Sequence, residues 1–141
     1  MTSHTLSRVW APRALSVLSI LRIFTGLELL QHGTGKILGF PAVPMFANVQ
    51  ITSLTGVGGL IELIGGTLLI LGLFTRPAAF ILSGEMAAAY FIEHFPRGFF
   101  PILSEGDLAV SLCFTFLYFS FAGGGPWSLD ALLRDKRPAL S

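Results

Sequence analysis

The sequence has few charged residues: Asp, Glu, Lys and Arg make up 12% of its 141 residues, about half the share that is usual in soluble domains. Apolar residues make up 52%. So little polar surface would not keep a folded domain in water, and the composition indicates that a lipid bilayer is the solvent. The formal net charge of +1 gives no basic field, and no cluster of Lys and Arg is interleaved with aromatic residues. Nucleic-acid binding is therefore excluded.

The chain also has only one cysteine, Cys113, which lies within an apolar run. One thiol forms neither an intramolecular disulfide nor a CxxC pair, which excludes thiol–disulfide chemistry by this chain alone. Residues 33–36 hint at a phosphate-binding loop, but Leu30 stands where the first glycine is required and Ile37 where Ser or Thr would hold magnesium. The His, Asp and Glu residues show no metal-ligand spacing, and no metal site is predicted.

Four apolar runs have the length that crosses the hydrocarbon core of a bilayer, about 20 helical residues. They lie at about 14–31, 54–74, 77–95 and 105–122, between Pro, Gly or charged residues. The link Thr75-Arg76 is so short that the second and third helices should form an antiparallel hairpin. Ser104 and Asp107 have the spacing of a capping box at the start of the fourth helix. The sequence thus predicts an all-α polytopic membrane protein, one domain over 1–141, folded as an antiparallel four-transmembrane-helix bundle.

Cationic residues are distributed unequally between the two ends of this predicted bundle. The two terminal tails and the turn between the second and third helices share one side. That side holds Arg8, Arg13, Arg76, Arg134, Lys136 and Arg137. The opposite side holds only Lys36 and Arg97. Because the cytoplasmic side retains the excess of Lys and Arg, both termini are expected in the cytoplasm. The outside loop near 33–53 is apolar, and we expect it to lie along the interface or to fold over the bundle.

Several ionisable side chains fall inside the predicted spans, where each costs about 2.5–3.5 kcal/mol on insertion scales unless it faces protein or has a function. Four of them share one arc of the first helix, about 120° wide at the α-helical period. They are Arg22, Glu28, His32 and Lys36. This polar stripe is expected to face protein, and its last three members form an i, i+4, i+8 ladder.

The other helices carry acids next to small residues. Glu62 shares a face of the second helix with glycines 58, 65 and 72, which allow a neighbouring helix to approach closely. Glu85 lies near the middle of the third helix, and Asp107 lies at the start of the fourth. Most of these polar groups are expected to converge on the outer half of the bundle. The inner half is expected to hold mainly Arg22, together with Glu85.

Two interpretations of these charges compete. In the structural one, the acids pair with Arg22, Lys36 and Arg97, and each contact contributes about 0.6 kcal/mol to helix packing. In the functional one, Glu28, His32 and Glu62 line a pocket that hydrogen-bonds a small amphipathic ligand, such as a quinone head group, and moves protons for it. Haem ligation by His32 and His94 is less economical, since Glu28 and Glu93 would satisfy both histidines. No catalytic residue is assigned.

Several stretches resemble the DoxX family of bacterial four-helix membrane proteins, over about residues 20–133. They are Arg22 with Gly26, residues 32–40, the distinctive run 62–76, residues 105–107 and the closing segment 123–130. Before the last helix the family more often has an Asn/Gly-rich turn that ends in Glu. Residues 104–107 depart from that pattern, and Asp107 would fill the acidic role with a shorter reach.

The resemblance implies only a general activity. Some relatives are linked to quinone-coupled oxidoreductases, as small subunits of thiosulfate or quinol oxidases, and others to stress or redox complexes. We therefore predict a bacterial inner-membrane protein that supports quinone-linked electron transfer, with a membrane protein partner or as a homo-oligomer. The alternatives are a non-catalytic assembly subunit and a small-solute transporter. The transporter is least favoured, because the four short helices show neither a broken-helix pair nor an inverted repeat.

Overall fold

The structure, a computed structural model, describes residues 3–136. It is 79% helical, and no strand occurs within that range, which confirms the all-α prediction. The helices are α1 (Ser3–Leu38), α2 (Leu54–Leu71), α3 (Thr75–Ala89), α4 (Pro101–Ser104), α5 (Asp107–Ala122) and α6 (Leu129–Asp135). By length and composition, Trp10–Leu38 of α1 and the whole of α2 could cross a membrane, and α5 is a shorter apolar helix. Arg137, part of the charge asymmetry above, lies outside the described residues.

Helix α1 is longer than the predicted span 14–31 at both ends. It continues through residues 32–38, which the sequence placed partly in a loop, and stops before Gly39. Gly39 has φ +68°, the left-handed conformation that commonly terminates a helix. The extension places Lys36 on a helix packed against α2.

Helix α2 ends in a Schellman motif, and three residues separate it from α3. Gly72 has a left-handed φ of +66°, the amide of Leu73 donates to the carbonyl of Leu68 at 3.0 Å, and the amide of Gly72 donates to that of Leu69 at 3.1 Å. Helix α3 starts at Thr75, so Pro77 lies in its first turn, where a proline is tolerated.

The segment between α3 and α5 is irregular. A π-helical turn, Tyr90–His94, follows α3, and a 3₁₀ turn, Phe95–Arg97, comes next. The capping box predicted from Ser104 to Asp107 was wrong. Ser104 is the last residue of α4, so its hydroxyl donates back to the carbonyl of Phe100 at 3.3 Å, and Gly106 precedes α5 without a side-chain cap.

Helix α2 packs against its neighbours at glycines. Helix α1 contacts α2, and α3 contacts both α2 and α5. A Cβ on Gly66 of α2 would lie 2.9 Å from the amide nitrogen of Leu30, and one on Gly59 would lie 2.8 Å from the Cβ of Lys36. A Cβ on Gly65 would lie 2.6 Å from the Cδ2 of Leu82 on α3. The glycine face of α2 is thus covered on one side by α1 and on the other by α3.

The distribution of polar and apolar side chains is the reverse of that in a soluble protein. Arg22 is 0% exposed, whereas Phe24, Phe80 and Phe121 are 67%, 66% and 75% exposed. So many exposed large apolar side chains suit contact with lipid, because a water-facing surface does not normally carry such a continuous apolar area. We call the end of the molecule near Leu38 and Leu54 the Lys36 end and the opposite end the Arg22 end.

Candidate functional site

Lys36 and Glu62 form a buried ion pair between α1 and α2. The Nζ of Lys36 lies 2.8 Å from the Oε1 of Glu62, and the two side chains are 14% and 5% exposed. At this depth the charges interact through a medium of low dielectric constant, and the pair offsets part of the cost of burying each. Lys36 thus has an acid as its partner, which is the contact that the structural interpretation expects.

Glu85 of α3 lies beside this pair because α2 has two glycines one turn before Glu62. A Cβ on Gly58 would lie 3.3 Å from the Oε1 of Glu85, while Gly59 makes room for Lys36 on the other side. The two missing side chains therefore let α1 and α3 present a cation and an acid to the same turn of α2. We call Lys36, Glu62 and Glu85 the Lys36 cluster.

The Lys36 cluster has more hydrogen-bond acceptors than donors. Among the described residues, the Lys36 ammonium has one carboxylate oxygen within hydrogen-bond distance, Oε1 of Glu62. Oε2 of Glu62 and Oε2 of Glu85 are both buried, and neither has a partner among the described residues. Two carboxylates and one ammonium carry a net charge of −1, so uptake of one proton makes the cluster neutral. These groups can therefore accept a hydrogen bond from a ligand, or donate one when a carboxyl group carries that proton.

The loop between α1 and α2 covers this cluster with an aromatic ring. The Nζ of Lys36 lies 5.5 Å from the ring centroid of Phe46, within the range of a cation–π interaction. Gly35 leaves room for the ring, since a Cβ there would lie 3.4 Å from the Cδ2 of Phe46. At Phe46 the loop folds over the helices, one of the two placements expected, whereas Met45 is 78% exposed.

The remaining predicted site residues do not join the cluster through hydrogen bonds. Glu28 and His32 are half-buried on α1, and neither makes a side-chain hydrogen bond or ion pair within residues 10–136. Asp107 is exposed in the first turn of α5. The proposed pocket of Glu28, His32 and Glu62 therefore stays a prediction, and Glu62 instead has Lys36 as its partner.

Arg22 does not pair with an acid, so that expectation was wrong. Its guanidinium donates to four backbone carbonyl groups, those of Leu69, Ile70, Gly124 and Trp127, with Nε 2.8 Å from Gly124 and Nη1 2.9 Å from Ile70. The last carbonyl groups of a helix have few backbone partners and carry the negative end of the helix dipole; of the two that Arg22 reaches on α2, that of Leu69 also accepts from the amide of Gly72. We call Arg22 and these carbonyls the Arg22 cluster. Glu85, expected in the inner half together with Arg22, lies near Gly58 instead.

The segment 123–131 closes the Arg22 end, a role that sequence reasoning missed. The two carboxylate oxygens of Asp130 accept hydrogen bonds from the amides of Phe74 and Thr75, each at 2.8 Å, and thereby cap α3. The amide of Trp127 donates to the hydroxyl of buried Ser19 at 3.1 Å. Ser128, the N-cap of α6, was the available signal, since Ser followed by an acid in the first turn is typical of a helix start.

His94 contacts groups other than Glu93, which corrects the pairing expected from the sequence. Its Nδ1 makes one of two hydrogen bonds, according to the tautomer: a protonated Nδ1 donates to the carbonyl oxygen of Ser104 at 3.0 Å, whereas an unprotonated Nδ1 accepts from a guanidinium nitrogen of Arg97 at 3.1 Å. Arg97 also makes an exposed ion pair with Glu105 at 3.4 Å. The residues around the π-helical turn thus hold α3 and α4 together at the Lys36 end.

Comparison with known proteins places the chain in one family. Residues 17–95 match the family model DoxX. An uncharacterized protein of Haemophilus influenzae is 48% identical over 117 residues, which cover 80% of this chain and 87% of that protein. An uncharacterized membrane protein of Mycobacterium tuberculosis is 30% identical, with 84% of this chain and 82% of that protein covered. No solved structure matches the chain.

Proposed function

The chain belongs to the DoxX family of membrane proteins, and from that premise we propose that it supports quinone-linked electron transfer as an accessory subunit in a bacterial inner membrane. The observation that carries the proposal is the Lys36 cluster, in which two buried carboxylate oxygens have no partner among the described residues. Ionisable groups at membrane depth are costly, and they commonly mark ligand sites or proton paths.

The chemistry of the cluster fits a quinone head group. Such a ligand exchanges two electrons and two protons when bound. Lys36 donates a hydrogen bond to a carbonyl oxygen, and Glu62 or Glu85 accepts one from a hydroxyl or passes it a proton. Because Glu62 is already held by Lys36, its position is fixed, and Glu85 is the freer group.

Glu85 is also the group that a lipid-dissolved ligand would reach first. It is half-buried at the edge of the contact between α2 and α3, and its neighbours Gly84 and Ala88 are exposed. A Cβ on Gly84 would meet no atom within 4 Å, so the surface there is open. A flat ring could therefore approach Glu85 without displacing a bulky side chain.

The proposal includes an arrangement in the membrane. Helices α1, α2, α3 and α5 would span as an antiparallel four-helix bundle, with both termini in the cytoplasm. Arg13, Arg76 and Arg134 of the Arg22 end support this orientation, because the side richer in Lys and Arg is retained in the cytoplasm. An accessory role also requires a partner that holds the redox centre, either a membrane protein or a complex built on several copies of this chain.

The test is quinone binding by the purified protein in lipid nanodiscs, with a short-chain ubiquinone as the probe. Glu62→Gln and Glu85→Gln should each weaken binding about tenfold, since a hydrogen bond to a charged group contributes about 1.5–3 kcal/mol. Glu93→Gln, which neutralises an exposed acid beyond the end of α3, is the matched control and should bind as the wild type does. Quinone-dependent electron transfer in membrane vesicles should fall in Glu62→Gln and in Glu85→Gln, and it should stay at the wild-type level in Glu93→Gln.

Two results would overturn the proposal together. They are the absence of bound or titratable quinone in the purified protein, and wild-type electron transfer in the Glu62→Gln and Glu85→Gln variants. The alternative role as a non-catalytic assembly subunit rested on the glycine face of α2. That face is covered within the chain by α1 and α3, so no structural observation favours this role.

A further inference from the structure

A cavity of about 470 Å³ lies at the Arg22 end, away from the Lys36 cluster. It lies between α1, the start of α3, the end of α5 and α6. Its polar wall includes Arg76 and Arg134, and its apolar wall includes Leu15, Leu18, Pro77 and Ala122. The volume is within the range of about 300–1,000 Å³ that is usual for small-molecule sites.

Both arginines of this cavity are available to a ligand. Arg76 and Arg134 are exposed, and neither makes an ion pair or side-chain hydrogen bond with another residue in the described part of the chain. Gly123 lies next to the first of them, since a Cβ there would be in ordinary van der Waals contact with the Nε of Arg76, at 3.4 Å. The cations of the Lys36 end differ, because Lys36 and Arg97 each have a carboxylate partner.

One acid, Asp130, also lines the cavity, but its carboxylate oxygens already have hydrogen-bond donors. Both oxygens of Asp130 accept hydrogen bonds from the first amides of α3. The lining therefore holds two free guanidinium groups against one carboxylate that points at backbone N–H groups. This balance favours an anion, and the planar fork of a guanidinium matches phosphate oxygens in particular.

The position of the cavity in the proposed membrane arrangement indicates the source of the phosphate. Helix α3 begins at Thr75 and α5 ends at Ala122, so in a bundle that spans the bilayer the cavity lies where the apolar helices end and lipid head groups begin. Basic pockets between helix ends bind anionic lipid head groups in membrane proteins. The apolar wall gives the first methylene groups of an acyl chain a surface to pack on. From these observations we infer that this cavity holds the phosphate head group of an anionic membrane lipid, with Arg76 and Arg134 as its ligands.

The experiment measures binding of phosphatidylglycerol to the purified full chain in detergent by native mass spectrometry at fixed ionic strength. Arg76→Gln and Arg134→Gln should each lower the apparent affinity about fivefold, and the double variant should lower it about 25-fold, because each cation near an anionic lipid contributes about 1 kcal/mol. Arg13→Gln is the matched control: it removes an exposed arginine at the same end that does not line the cavity. It should bind as the wild type does.

Two further measurements distinguish an anionic lipid from a neutral lipid and from a free phosphate ion. Phosphatidylcholine should bind wild-type protein weakly, and inorganic phosphate at millimolar concentration should not displace phosphatidylglycerol. Displacement by inorganic phosphate would show a phosphate site without a lipid and would overturn the inference. An equal loss of affinity in Arg13→Gln would overturn it as well, because the binding would then depend on general surface charge.

Folding of the variants is checked by thermal unfolding in the same detergent. Both arginines are exposed, so the variants should unfold at the wild-type temperature. If the double variant unfolds earlier, the two single variants carry the test. The inference is independent of the proposed redox role, since quinone binding at the Lys36 cluster can fail while lipid binding at this cavity succeeds.

Discussion

Arg22 and Lys36 are both largely buried, and they are satisfied in opposite ways. Within residues 3–136, Arg22 donates to four backbone carbonyls and contacts no carboxylate, whereas Lys36 binds one carboxylate and leaves two carboxylate oxygens nearby without a partner. The carbonyls of the Arg22 cluster cannot take up or release a proton, so this cluster serves only the architecture. The carboxylates of the Lys36 cluster can, so the capacity for chemistry lies there.

Loss of Arg22 should have the largest effect on stability. Arg22→Met would remove a donor from four backbone carbonyls, of which that of Leu69 keeps the amide of Gly72 and that of Gly124 keeps the hydroxyl of Ser19, and we expect the free energy of unfolding to fall by on the order of 5 kcal/mol. Unfolding in mixed detergent micelles measures this, with Arg13→Met as the control for an exposed arginine on the same helix. A variant as stable as the control would remove the contrast between the two clusters.

Loss of Lys36 should destabilise less, and it should be reversible by a second change. Lys36→Met leaves Glu62 buried and unpaired, which costs about 3 kcal/mol. Glu62→Gln in the same chain should restore most of that loss, as a double-mutant cycle would show. No such rescue exists for Arg22, because its partners are backbone atoms. Failure of Glu62→Gln to restore stability would contradict the pairing.

Disruption of the glycine contacts between α1 and α2 should have the third-largest effect on the free energy of unfolding. Gly66→Ala places a Cβ against the backbone of α1, which must move, and we expect a loss of about 1–3 kcal/mol. Gly84→Ala is the matched control, since its Cβ would meet nothing within 4 Å. The same unfolding measurement compares them, and similar stabilities would mean that the close approach of α1 and α2 has no energetic weight.

The smallest effect on stability is expected when the attachment of segment 123–131 to α3 is weakened. Asp130→Asn removes the charge that caps α3 and should cost about 1 kcal/mol, the usual value for a helix cap. Asp135→Asn, exposed at the end of α6, is the control and should cost little. Hydrogen exchange at the amides of Phe74 and Thr75 would localise the effect. Unchanged protection of these amides in Asp130→Asn would argue against the cap.

The sequence predicted the positions of the helices better than it predicted which groups their polar side chains contact. Apolar runs and glycine positions predicted α2 and its close contacts with other helices, because hydrophobicity and side-chain volume are local properties. The start of α2 at Leu54 agrees with the predicted boundary. The full length of α1 was missed, because Gly33 and Gly35 were interpreted as loop residues, whereas α2 packs against that part of α1.

The partner of Arg22 was missed for a different reason. Counting acids in the sequence finds carboxylate partners, but backbone carbonyls are present at every residue and leave no sequence signal. Only the fold shows which of them lack partners. The pair of Lys36 and Glu62 was predictable as one of several pairings, whereas the closeness of Glu85 to Gly58 depends on how α3 leans on α2.

The contacts of Arg22 also bear on how the chain is made. Two of its four acceptors, Gly124 and Trp127, follow it by more than 100 residues. A chain that enters the membrane from its N-terminus therefore carries an arginine whose hydrogen bonds are incomplete until nearly the whole protein has been synthesised. The synthesis of residues 123–128 would then complete the hydrogen bonds that fix α1 in position. A chain that stalls on the ribosome before Gly123 would lack these hydrogen bonds.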